Sequence, residues 1–204
     1  MAVGNTPLYV GAGRYVAALD PHSGDELWRT KLPHAGSSVV ALLLGPNRIF
    51  VGHAGYAYAL DKRGGSIIWE NGLPRMGFHA VLLAREPATA RQAKPLYVGT
   101  GRYVAALDAR TGDERWRSRL PRSGTAVVNL VIGERDLLVG HGGYAYALDR
   151  HSGMVLWENG LPRMGYGPVM AGMEGAVGTS LGAAAAAHVR VQQQQAAART
   201  AAAS

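Results

Sequence analysis

Arginine and histidine recur at equivalent places along this chain, and they define the chemistry open to it. Arg14 and Arg102 stand in GAGRY and GTGRY, His53 and His141 in GHAGY and GHGGY, and His34, Arg75, Arg122 and Arg163 in PHAG, PRMG, PRSG and PRMG. Neither set of segments contains a carboxylate, so no acid–base pair is encoded there. Brought onto one surface, these groups would gather an acidic ligand, with an association rate that falls as salt rises. His53 and His141 could face each other across an axis and share a small ligand or a metal ion, but a metal site needs further ligands and no third accompanies them. A hydrogen bond inside each turn accounts for both imidazoles without a metal. Asp20, Asp61, Asp108 and Asp149 also recur, each opening a turn such as Asp20-Pro-His-Ser-Gly24. A carboxylate that caps a turn is already engaged in hydrogen bonds, so these four read as structural.

The elements that must position these groups are repeats. Residues Val51 to Gly77 return from Val139 to Gly165 with 20 of 27 positions identical, and Leu8 to Pro33 returns from Leu96 to Pro121 with 19 of 26 identical. The Leu-Asp pairs ending at Asp20, Asp61, Asp108 and Asp149 advance by 41, 47 and 41 residues, and the four tryptophans, Trp28, Trp69, Trp116 and Trp157, follow the same spacing. A period of about 40 to 50 residues that reads as short strands and turns is the signature of propeller blades.

Each copy parses as four strands. The first is an unbroken apolar run, as in Ser38 to Gly45, Phe78 to Arg85 and Ala126 to Gly133, which implies burial on both faces. The second ends in glycine. The third, YAYALD, sets Tyr56, Tyr58 and Leu60 against Ala57 and Ala59, large residues on one face and small ones on the other. The fourth carries the tryptophan. Behind the tryptophans, Arg29 and Arg117 alternate with Glu70 and Glu158; charges on an outer strand protect its edge from aggregation, or pair subunits through opposite signs.

The expected architecture is all-β: a β-propeller of four four-stranded blades spanning residues 1–173, near 8–33 with 165–172, 34–74, 75–121 and 122–164. Two closures are open. Gly165 to Gly172 could complete the first blade and seal the ring, or the four blades could be half of an eight-bladed dimer. The segment Arg85 to Lys94 reads as a longer surface loop, and the Ala/Gln-rich tail 174–204 as disordered or a single helix.

The 204 residues are 48% hydrophobic, enough for a real core, and the net charge of +7 favours acidic partners. With no cysteine there is no disulfide framework and no thiolate site. No signal peptide and no span of about 20 apolar residues is evident, so a soluble, cytoplasmic protein is expected.

The stretch LYVGTGRYVAALDARTGDERW from Leu96 to Trp116 resembles the repeats of pyrroloquinoline-quinone-type β-propellers, and the resemblance covers nearly all of residues 8 to 172. It implies that the four tryptophans dock between neighbouring blades. The quinone-dependent dehydrogenases of that family look like eight-bladed rings with adjacent cysteines, a stacking tryptophan and metal-binding carboxylates; this chain has half the blades and no cysteine, and its tryptophans are all used in the blade pattern. Its non-enzymatic members use the same repeats for binding. The expectation is therefore a non-catalytic scaffold without a cofactor, binding a protein partner acidic at the contact through the Arg/His face; nucleic acid is a minor alternative.

Overall fold

The computed structural model describes residues 6–34, 39–77, 79–85, 94–122, 127–133, 135–162, 169 and 177–178. Among them are sixteen β-strands in four antiparallel sheets, the blades of a β-propeller. Blade one holds β1 (Leu8–Ala12), β2 (Tyr15–Leu19) and β3 (Glu26–Lys31). Blade two holds β4 (Ala41–Leu44), β5 (Arg48–His53), β6 (Tyr56–Asp61) and β7 (Ile67–Asn71). Blade three holds β8 (Leu82–Ala84), β9 (Leu96–Thr100), β10 (Tyr103–Leu107) and β11 (Glu114–Arg119). Blade four holds β12 (Asn129–Ile132), β13 (Asp136–His141), β14 (Tyr144–Asp149) and β15 (Val155–Asn159), and β16 (Val177–Gly178) pairs with β12.

Register repeats from blade to blade. The third and fourth strands slip at Ala18/Leu19, Ala59/Leu60, Ala106/Leu107 and Ala147/Leu148, a bulge that adds local twist to the outer strand. It sits beside the turn that each aspartate closes. Asp20 Oδ1 accepts from the N–H of His22 and Ser23, Asp61 from Arg63 and Gly64, Asp108 from Arg110 and Thr111, and Asp149 from His151 and Ser152, all at 2.7–3.3 Å.

The core lies between blades rather than inside any one of them. Val16 and Leu32 of blade one pack with Ile49, Val51, Tyr58 and Leu60 of blade two. Each fully buried side chain of this size contributes about 1.5–3 kcal/mol of transfer free energy. At each joint the indole lies flat on the next blade's turn: a Cβ on Gly65, Gly112 or Gly153 would come within 3 Å of Trp28, Trp69 or Trp116. Only glycine allows both that approach and the positive φ of 74–84° found there. Tyr9, Phe50 and Tyr97 tilt against the same indoles at 6.0–6.1 Å between centroids. Polar bonds lock the fit: Trp69 Nε1 donates to Ala109 O at 3.3 Å, Trp116 Nε1 to Arg150 O at 3.0 Å, and Asn71 Nδ2 to Gly112 O at 2.9 Å.

The fourth joint differs. Trp157 is 47% exposed, and no described atom lies within 4 Å of a Cβ on Gly24. Among the described residues, blades four and one therefore do not make the contact that links the other pairs. The stretch expected to complete blade one, Gly165 to Gly172, lies outside the described residues except for Val169. The carbonyl of Val169 stands against Gly140 as that of Val81 stands against Gly52, where the first strand of a following blade begins. The expected loop between Arg85 and Lys94 and nearly all of the tail also fall outside the described residues.

Candidate functional site

The turns joining second and third strands lie beside the segments that enter and leave each blade. Leu32 N–H donates to Arg14 O at 2.8 Å, Leu120 N–H to Arg102 O at 2.9 Å, and Gly55 N–H to His79 O at 3.1 Å. Arg14 and Arg102 are partly exposed beside these bonds, and Arg75 is exposed with a φ of 66°.

His53 and His141 are fully buried, at the last positions of β5 and β13 opposite Tyr56 and Tyr144. They present no imidazole to solvent. Among the described residues there is no group of three or more His, Cys, Asp or Glu placed to hold a metal ion. Arg163 lies outside the described residues.

His34 and Arg122 are matched by carboxylates from the next blade. His34 Nε2 lies 2.7 Å from Glu70 Oε1, and Arg122 Nε donates to Glu158 Oε1 at 3.1 Å. Each of the two side chains also covers a tyrosine: the His34 ring stacks on Tyr56 at 3.9 Å and 7°, and the Arg122 guanidinium sits 5.9 Å from the Tyr144 centroid. Below these rings lie Tyr58 and Tyr146, 6.1 Å further in. Glu70 and Glu158 thus tie the outer strands to the segments that lead into their blades, a role beyond edge protection, whereas Arg29 and Arg117 pair with Glu26 and Glu114 of their own strands. Burial, then the Glu70 charge, pushes the Tyr58 hydroxyl above its ordinary range; burial, then Glu158, pushes Tyr146 up to about 12. Hydrogen bonding to Glu158 raises the Arg122 guanidinium further.

At the opposite end, a cleft of about 210 Å³ between blades two and three is lined by Arg48, Arg85 and Arg110 with Phe50 and Ala109. Arg48 Nη1 donates to Ala109 O and Arg110 O at 2.9 and 2.8 Å, and Arg85 lies 5.3 Å from the Phe50 centroid. Burial, then the Arg48 charge, lowers Arg85. Sequence reasoning missed this cluster because Arg48 and Arg85 have no counterpart in the paired copy: Asp136 and Met173 hold those positions.

Repeated four-stranded sheets with a Trp-on-Gly joint define a propeller of pyrroloquinoline-quinone-like repeats. The chain belongs to this family: the family model described as outer membrane protein assembly factor BamB matches residues 12–167 and again 100–189. No curated protein matches it. Among solved structures it is similar to BamB from Moraxella catarrhalis, with 23% identity, a TM-score of 0.54, and coverage of 76% of this chain and 49% of that one. It is similar also to the quinohemoprotein alcohol dehydrogenase from Comamonas testosteroni, with 19% identity, a TM-score of 0.56, and coverage of 76% and 33%. The computationally designed Ika8 protein gives 17% identity, a TM-score of 0.58, and coverage of 85% and 52%. The chain spans about half of these proteins' length or less, and the likeness is one of fold. Among the described residues no helix is long and apolar enough to cross a membrane.

Proposed function

We propose that this chain is a non-catalytic propeller module that binds another protein, acidic at the contact, through the blade end bearing Arg14, Arg75 and Arg102, with His34 and Arg122 beside them. The observation that carries this is the charge pattern of that end: the carboxylates matched to His34 and Arg122 are engaged in ion pairs with them, which leaves the three arginines to attract a partner. The groups whose acidity is displaced also sit in packing and turn positions. Tyr58, Tyr97 and Tyr146 are raised first by burial, and Asp108 and Asp149 are lowered first by hydrogen bonds from Arg115 and Ser152. Dehydrogenases share the fold, so the fold alone does not decide catalysis; the family description names an assembly factor, which favours a scaffold.

A Glu-rich peptide is a suitable probe. Its affinity should weaken as salt is raised and fall about tenfold or more in the variant R14E/R75E/R102E. An affinity indifferent to salt and to these substitutions removes the face from the reading.

A further inference from the structure

Blade four is a near copy of blade two, and blade one of blade three. The joint between blades two and three is therefore a residue-by-residue template for a joint between a fourth blade and a first. In that template Trp69, 8% exposed, covers Gly112, and Leu96, fully buried, lies in the cluster between the two blades. Their counterparts are Trp157, Gly24 and Leu8, and all three are uncovered: Leu8 is 53% exposed, and Val10 and Leu19 are half-buried where Val98 and Leu107 are fully buried. The molecule thus ends in two different apolar faces, each shaped like one side of the joint it makes three times internally.

We propose that this chain pairs head to tail with a second copy of itself, the Trp157 face of each copy docking on the Gly24 face of the other, so that two arcs of four blades close one ring of eight. The occupant follows from the template, because the Trp157 face carries blade two's half of that joint and the Gly24 face carries blade three's half, so the two faces of one copy complement those of another. The polar bonds also have their partners ready. Trp157 Nε1 takes the Pro21 carbonyl as Trp69 takes that of Ala109, and the exposed Asn159 Nδ2 takes the Gly24 carbonyl as Asn71 takes that of Gly112. Arg29, paired with Glu26, takes the Pro162 carbonyl as Arg117, paired with Glu114, takes that of Pro74.

The number of copies follows from the curvature. The superpositions place 76% of this chain on 49% of the BamB chain and 85% on 52% of the Ika8 chain, so its arc follows that of proteins about twice as long. A head-to-tail joint whose rotation closes after two copies gives a discrete dimer, whereas one that does not close gives an open filament.

Native mass spectrometry and light scattering of the purified chain between about 1 and about 100 µM test this. The expected species has twice the 21.5 kDa mass of one chain. Trp157→Glu and Gly24→Asn should each yield monomers with an unchanged circular dichroism spectrum, because asparagine tolerates the positive φ at Gly24 and neither position is packed within the chain. Mixed together, the two variants should regain a dimer weaker than wild type, since the mixed ring keeps one joint free of substitutions. A chain that stays monomeric at every concentration overturns the proposal. So does a dimer indifferent to both substitutions, a mixture that regains nothing, or a filament. None of these outcomes depends on the acidic peptide, so the arginine face stands or falls separately.

Discussion

Trp69 and Trp157 occupy the same place in segments that share 20 of 27 residues, yet the first is buried and the second is half in water. Blade two has a third blade to lean on, whereas no described neighbour covers the Trp157 face of blade four. Burial of the outer-strand indole is therefore a property of the joint and not of the blade that carries it. Stability in such an array is a sum of blade terms and nearest-neighbour terms, with the latter dominant where each unit has too little core of its own.

The comparison breaks most easily at the indoles. Trp69→Ala should cost about 3–5 kcal/mol in urea denaturation, while Trp157→Ala, measured at a dilution where the chain is monomeric, should change stability by no more than about 0.5–1 kcal/mol. Equal losses would show that blade four is covered in solution by its own chain. The glycines give the next largest contrast. Gly112→Ala meets both a positive φ and the Trp69 indole, for about 2–4 kcal/mol, and Gly24→Ala only the backbone term, about 1–2 kcal/mol.

Alkaline pH sharpens the comparison between blade ends. Burial raises the Tyr97 and Tyr146 hydroxyls to about 12 each, so the folded state favours their protonated forms. Their contribution is complete below the ordinary tyrosine value near 10 and is lost as pH rises from there through about 12. Tyr146→Phe should move the alkaline unfolding midpoint upward in a pH series followed by circular dichroism; an unmoved midpoint would assign the transition to other groups. The smallest effect is expected at the exposed ion pairs. Glu70→Gln and Glu158→Gln should each cost about 0–1 kcal/mol, and less in high salt.

Much of the fold was legible because the repeat speaks locally. The Leu-Asp and Trp spacing locates the third and fourth strands, and the β6 and β14 segments run over YAYALD as the alternation of large and small residues implies. The candidate site was harder to read. His53 and His141 look like turn residues in sequence, but β5 and β13 extend through them and carry them inside. Glu70 and Glu158 sit 36 residues from the side chains they meet, a separation that no strand alternation or turn motif displays. The Arg48–Arg85–Arg110 cleft likewise gathers residues from two blades that share no motif.

By itself the sequence determined the blade: hydrogen bonding between adjacent strands, a capped turn and a bulge are all settled within some forty residues, and duplication copies them faithfully. Only the tertiary structure decided how blades meet and where they stop meeting. Whether an indole is core or surface depends on a neighbour brought in by the accumulated rotation of successive blades, a non-local quantity that identical segments cannot distinguish.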